Sequence, residues 1–436
     1  MFYKIVSRMA LMALLVAMLA LAAFANNQPG GSGKSDLAQS RPNTLDSARS
    51  LGKFLTDDIH GNVTPLAVRS SGQALCFNAA VNYAAGFNPT SVFAADLDGD
   101  GRADLALANY WGDNVSVIMN NGNGTFAAAV DFATGSSPRS VFAADLNGDG
   151  YADLAVANTG SANVSVLKNN GNGTFAAAVN YAVGAWPYSV FAADLNGDGK
   201  QDLAVANESS NNVSVLMNNG NGTFAAAVNY AVGSYPMSVF AADLNGDGDA
   251  DLAVANQGSN NVSVLKNNGN GTFAAAVNYA AGSGPTSVFA ADLDGDGDAD
   301  LAVANHFSDN VSVLKNNGDG TFAAAVDFAA GSGPMSVFAA DLDGGGKQDL
   351  AVANYSSNNV SMLMNCWYVC GDANGSGTAD ISDAVYLIAY IFSGGSAPSP
   401  LLAGDANCDS AVDISDAVYL IAYIFSGGQA PCAACK

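Results

Sequence analysis

The chain is short of the side chains on which most catalysis depends. Among 436 residues there is one glutamate, Glu208, and two histidines, His60 and His306. An active site needs acid–base or nucleophilic groups that converge. No Ser-His-Asp set, zinc-ligand spacing or phosphate loop can be assembled here, so a non-catalytic protein is expected. Cations are scarce as well. Lys and Arg together number 15 against 39 acids, a net charge of −24, which leaves no electrostatic footprint for nucleic acid. Long apolar runs are missing with one exception, Met9–Ala23. Lys4 and Arg8 precede it and Ala23-Phe24-Ala25 follows as a small-x-small site. That order reads as a secretory signal over residues 1–25, leaving no membrane span after cleavage and a secreted or cell-surface destination. Cysteine is sparse until late: Cys76 stands alone, then Cys366, Cys370, Cys408, Cys432 and Cys435. In an exported chain these point to disulfides.

What the chain has in abundance is aspartate, 38 of its 39 acids. A segment Asp-x-Asp/Asn-x-Asp-Gly-x-x-Asp-Leu recurs at a spacing of 49 residues, starting at Asp96, Asp145, Asp194, Asp243, Asp292 and, in altered form, Asp341. A period near 50 implies stacked repeats. Oxygen side chains alternating around a glycine are the chemistry of a calcium loop. Counting two further loops near the C-terminus, 27 of the 38 Asp stand where a cation would neutralise them, so metal rather than a basic partner explains the acidity.

One repeat shows the local logic. Ser91–Leu97 (SVFAADL), Asp104–Asn109 (DLALAN), Asn114–Asn120 (NVSVIMN) and Thr125–Ala133 (TFAAAVDFA) read as strands separated by Gly- and Asn-rich turns. Four short antiparallel strands per repeat make a propeller blade. Residues 26–75 lack the motif and read as a linker.

The DLDGDGRADLALAN block resembles the FG-GAP or VCBS-type repeat of integrin-like propellers, from about Phe77 to Asn365. The resemblance implies calcium in the loop between the first two strands. The first, third, fifth and ninth places supply side-chain oxygens and the seventh a carbonyl. It assigns Asp96, Asp98, Asp100, Arg102 and Asp104 to the first loop. The second takes Asp145, Asn147, Asp149, Tyr151 and Asp153, and the third Asp194, Asn196, Asp198, Lys200 and Asp202. Asp243, Asn245, Asp247, Asp249 and Asp251 form the fourth, and Asp292, Asp294, Asp296, Asp298 and Asp300 the fifth. In the sixth, Gly345 replaces the fifth-place Asp, leaving Asp341, Asp343 and Asp349 as a degenerate site. Some propellers of the family degrade polysaccharides, beside extra catalytic elements that this chain lacks.

The repeat phase predicts an all-β, six-bladed propeller over residues 76–366. The sixth copy stops at Asn365 without a final strand, while Phe77–Ala84 is a final strand without a blade, so the second should complete the first. The 49-residue alignment sets Cys76 and Cys366 on the two sides of the turn this closure omits, which predicts a Cys76–Cys366 disulfide. A seven-bladed ring drawing on residues 26–75 is the alternative.

Strand and calcium-loop residues barely change among the copies, whereas two loops do. One, before each first strand, holds Phe87, Arg139, Trp186 with Tyr188, Tyr235 with Met237, Thr286 and Met335. The other, between second and third strands, holds Tyr110 with Trp111, Thr159, Glu208, Gln257, His306 with Phe307, and Tyr355. Both emerge at one end of the blade, opposite the calcium loops. A rigid frame with variable loops is a common binding design. The aromatics Phe87, Tyr110, Trp111, Trp186, Tyr188, Tyr235, Phe307 and Tyr355, with His306, suit an extracellular polysaccharide or a surface protein.

Residues 367–436 hold a second repeat of period 33, GDANGSGTADISDAVYLIAYIFSGG from Gly371 and GDANCDSAVDISDAVYLIAYIFSGG from Gly404. Each is a calcium-type loop running into a helix, and the pair resembles the dockerin type I repeat, an EF-hand-like unit. The resemblance assigns Asp372, Asn374, Ser376, Thr378, Asp380 and Asp383 to one calcium site. Asp405, Asn407, Asp409, Ala411, Asp413 and Asp416 form the other. It also implies a cohesin-like partner. The helices, Ile381–Phe392 and Ile414–Phe425, are apolar almost all round and are expected to be covered on most sides.

Overall fold

In the computed structural model the described residues are 81–342, 347–365, 371–374, 379–398, 401–407, 411–426 and 431. The first sheet is an antiparallel meander of β1 (Pro89–Ala95), β2 (Asp104–Asn109), β3 (Asn114–Ile118) and β4 (Val130–Ala133). The same unit recurs to give five four-stranded sheets, and a sixth contains three strands, Pro334–Ala340, Asp349–Asn354 and Asn359–Leu363. These are propeller blades, as the sequence predicts. Alternation of small and branched residues explains their stacking. In β2, every residue is buried. Ala106 and Ala108 face one neighbour while the Leu154 and Val156 that follow a repeat later press into them.

Each interface between sheets is held by the same parts. Phenylalanines of the first strands form a column, Phe93, Phe142, Phe191, Phe240, Phe289 and Phe338, with neighbouring ring centroids 4.5, 4.8, 4.8, 4.7 and 4.7 Å apart. Beside them the serine two places earlier accepts from the next sheet's backbone, as Ser91 Oγ does from the Val141 N–H at 3.3 Å. Both series run from sheet one to sheet six. The described residues carry no such link from sheet six back to sheet one, the seam that Phe77–Ala84 and the Cys76–Cys366 pair are expected to serve. All six cysteines, and residues 77–80 of that segment, lie outside the described residues, as do residues 1–75. Tyr83 is described and stands edge-on to Phe126 at 5.5 Å, the relation of Phe132 to Phe175 at 5.2 Å. Tyr83 therefore stands in fourth-strand phase ahead of the first sheet.

The fourth strand is shorter than the sequence suggests. It starts at Val130, not Thr125, and Phe126 keeps only an isolated bridge to Asn120. The reason is a wedge. In the next four sheets the equivalent ring leaves its own ladder and is buried in the core shared with the preceding sheet, Phe175 among the residues of sheet one.

The tail holds α1 (Ile381–Ser393) and α2 (Ile414–Ser426), which pack through Ala384, Leu387, Ala417 and Leu420. Their mutual packing covers one face of each, and the face left for another part of the chain or a partner to cover is bare among the described residues. Ile381, Val385, Ile388 and Phe392 are exposed, with Val385 at 60 % and Phe392 at 67 %, and Ile414, Val418, Ile421 and Phe425 repeat the pattern. A spacing of three and four residues makes each set one stripe of its helix. No helix among the described residues is long and apolar enough to cross a membrane.

Candidate functional site

At one end of the sheets lie the aspartate loops. Gly99 and Gly101 adopt φ of 81° and 82°, a left-handed conformation that wraps the backbone around Asp96. Asp96 then accepts from the N–H groups of Gly99 and Gly101, both at 2.8 Å. Asp96, Asp98 and Asp104 bring carboxylate oxygens within 4.8 Å of one another, and Asp292, Asp294 and Asp300 do the same. Converging, hard, all-oxygen donors fit a calcium ion. With the seventh-place carbonyls, these are the residues that would hold it. In the second, third and fourth loops, Asn147, Asn196 and Asn245 put an amide at the third place. Protein cations crowd several loops. Arg102 pairs with Asp100, Lys200 with Asp198 at 2.9 Å, and Lys315 bridges Asp294 and Asp296. In the sixth loop Asp343 and Gly345 lie outside the described residues.

The ninth-place Asp has a second duty that the motif alone does not reveal. It is buried, and its two oxygens accept from two separate backbone points. Asp104 takes the Leu97 N–H at 2.9 Å and the Asn120 N–H at 2.7 Å. The carboxylate thus ties the start of the metal loop to the end of the third strand. Asp349 keeps both bonds in the degenerate sixth loop, from Leu342 and Asn365, so the clamp is retained there without the full metal set. Burial pushes the Asp153, Asp251 and Asp300 carboxyls up to about 6, against the pull of the two N–H donors, and raises Asp104 and Asp202 as well.

A further series of functional residues hides in the NNGNG turn. The first Asn of that turn reaches into the preceding sheet. Asn169 Nδ2 donates to the Leu97 carbonyl at 2.8 Å, and Asn218, Asn267, Asn316 and Asn365 repeat the bond to Leu146, Leu195, Leu244 and Leu293. The signal available in the sequence was the invariance of this Asn among the copies, which turn chemistry alone explained just as well.

The variable loops do share the opposite end, tied to each other by backbone bonds. Glu208 N–H donates to the Trp186 carbonyl, Gln257 to Tyr235, and His306 to Gly284, each at 2.9 Å. Two register positions project there, one from the second residue of each first strand and one from the residue after each second strand. Together they line an open hollow of ≈ 340 Å³, with Arg139, Tyr188, Met237 and Met335 from the first position, Gln257, His306 and Tyr355 from the second, and Phe307 beside them. The structure therefore brings Tyr188, His306, Phe307 and Tyr355 together. Phe87, Trp111, Trp186 and Tyr235 do not line the hollow and are more than half exposed on their loops. Tyr110 enters indirectly, its ring beside the Arg139 guanidinium. Trp186 and Tyr235 have φ of 59° and 54° where Gly284 and Gly333 serve in later sheets. Bulky residues held there carry strain of order 1 kcal/mol.

In the tail, Asp383 and Asp416 are buried, and burial raises both carboxyls. Asp383 accepts from Asn374 N–H at 3.0 Å and from Asp380 N–H at 2.8 Å, closing a capping box at the start of α1. Asp416 repeats this with Asn407 and Asp413 at 3.2 and 2.9 Å. Asp372 and Asp405 are buried beside them. Ser376, Thr378 and Asp409 lie outside the described residues.

Blade sheets that each carry an aspartate loop between their first two strands, followed by paired loop–helix units, define a repeat propeller with an EF-hand-like tail. Family comparison makes this specific. The chain belongs to the FG-GAP-like repeat family, whose model matches residues 96–156, 146–205, 194–254, 243–303 and 292–352, and a dockerin type I domain matches residues 370–425. Repeats of this kind joined to a dockerin mark an extracellular or complex-docking protein. No curated protein matches the sequence. Similar solved structures include a lectin of Agrocybe aegerita that recognises non-reducing terminal N-acetylglucosamine, at 25% identity over 66% of this chain and 82% of that one, TM-score 0.45. A Lactobacillus plantarum protein is similar at 19% identity over 65% and 86%, TM-score 0.45. Virginiamycin B lyase from Staphylococcus aureus is similar at 12% identity over 63% and 83%, TM-score 0.42.

Proposed function

We propose that this chain is a secreted, non-catalytic recognition protein. Calcium stiffens one end of its propeller, the variable-loop end binds an extracellular polysaccharide, and the dockerin tail docks to a cohesin-like module. The observation that carries this reading is the separation of constant from variable chemistry. Near-identical loops crowd one end, and both sets of variable positions meet in one aromatic hollow at the other. Rings and Met side chains with a few amide and imidazole groups suit the alternating C–H and hydroxyl faces of sugars. The two bare stripes of α1 and α2 support the docking half, because exposed apolar patches of this sort mark interaction surfaces.

A glycan array probed in calcium tests the first half, with Tyr188→Ala and Tyr355→Ala as controls. Retained binding by both variants would remove the hollow from the account. Product release from any bound polysaccharide would overturn the non-catalytic assignment. If the array is blank while a cohesin-type module still captures the chain, the protein is a structural component held by its tail alone.

A further inference from the structure

The cations are distributed unevenly between the two ends, and this bears on the ligand. The described residues include seven basic side chains. Six belong to the metal-loop end: Arg102, Lys200 and Lys347 at the seventh place of their loops, and Lys168, Lys266 and Lys315 after the third strands. Arg102, Lys168, Lys200, Lys266 and Lys315 make contacts that stay at that end. Lys168 donates to the Asn221 carbonyl at 3.3 Å, Lys266 to the Asp319 carbonyl, and Lys315 to Asp294 and Asp296. Arg139 alone stands at the variable end, half-buried in the wall of the hollow.

Its guanidinium is held by aromatic rings. It lies 4.3 Å from the Tyr188 ring centroid and 5.6 Å from that of Tyr110, and its Nη2 donates to the Tyr188 hydroxyl. Among the described residues no carboxylate forms an ion pair with it. Glu208 is near enough to feel its charge but makes no pair. Two rings fix the plane of a guanidinium at little entropic cost and leave part of its donor fork unused. Thr90 and Thr286, at the equivalent place in other sheets, turn back onto backbone carbonyls instead. A cation kept in a hollow of a chain with a net charge of −24 is suited to one anionic group delivered locally.

Building on the polysaccharide reading above, we infer that the hollow recognises a carboxylate-bearing sugar, a uronate residue, with Arg139 as its bidentate partner. The apolar face of the pyranose rests on Tyr188, Met237 and Met335. Gln257 and His306 are left to face its hydroxyls. Carboxylate and guanidinium match as two parallel N–H···O bonds.

Titration calorimetry of the full chain in calcium tests this, using short oligosaccharides of galacturonate, glucuronate and mannuronate and the same compounds after carboxyl reduction. One acidic series should bind roughly 10- to 100-fold more tightly than its reduced form, the range expected for a charged hydrogen-bond pair. Arg139→Gln should erase that difference, and Arg139→Lys, which keeps charge but not the fork, should restore only part of it. Unchanged melting of both variants shows that the fold is intact. Equal binding of acidic and reduced sugars, or no effect of Arg139→Gln, would overturn the uronate assignment and leave polysaccharide recognition standing. Absence of binding to every sugar by folded protein would overturn both.

Discussion

Raising the pH of the calcium-free protein should destabilise it, opposite to the usual expectation for a chain rich in carboxylates. The groups responsible are Asp153, Asp251 and Asp300, whose carboxyls burial lifts to about 6 from an ordinary value of 3.8. Because the folded value lies above the unfolded one, the contribution is full below about pH 4 and is lost as the pH rises through about 6. Between about pH 5 and pH 7.5 each group gives up about 1.4 kcal/mol, and the three together about 4 kcal/mol. In a propeller of this size that is on the order of 10 °C in Tm. Calcium favours the ionised carboxylates, so its stabilising increment should grow over the same interval. Scanning calorimetry of the full chain, desalted or in millimolar calcium, at both pH values reads each effect. A calcium-free Tm that rises toward neutral pH, or a calcium increment equal at both, would refute the argument.

Other substitutions report on separate parts of the frame. Asn218→Ala removes a buried bond between sheets and leaves the Leu146 carbonyl unpaired, at a cost of about 1–3 kcal/mol. Asn120→Ala should cost less, because Asn120 bonds Ala103 within its own sheet; urea midpoints compare the two. Phe224→Ala removes a wedge buried between the second and third sheets, and about 3–5 kcal/mol is expected from the same melts. Asp383→Ala removes the N3 half of the capping box and its bond from the Asp380 N–H, which should cost about 1–2 kcal/mol of tail stability and weaken calcium binding, read by helical ellipticity during a calcium titration. Val385→Asp with Val418→Asp should leave the Tm unchanged and abolish pull-down by a cohesin-type module.

The sequence was most informative where its chemistry repeats. Six copies of the motif correspond to six sheets, and the Asp-Gly spacing located the acidic loops at their ends, because φ-positive glycines between alternating carboxylates wrap a backbone around the first Asp. Two kinds of feature were not legible. Asp104 reads as a calcium ligand, yet its bonds to Leu97 and Asn120 span strands, and a linear motif shows only the near end of such a clamp. Asn169 reads as a turn residue because its acceptor, the Leu97 carbonyl, is 72 positions away. The variable face was visible as variation, but not its focus. Trp111 and Trp186 are the most conspicuous residues there and remain outside the hollow, while Arg139, Met237 and Met335 line it from the second position of their strands. The helices were legible only in part, since an apolar surface says that something must cover it without saying whether this chain does.

The proposed division of labour puts recognition in the hollow and calcium at the opposite end. It is tested most directly by calorimetric titration of the best-binding oligosaccharide into wild type and a Tyr188→Ala, Tyr355→Ala double variant, both calcium-loaded. The variant should lose binding while its Tm and calcium stoichiometry stay at wild-type values. Sugar affinity unchanged in a folded, calcium-loaded variant would contradict it.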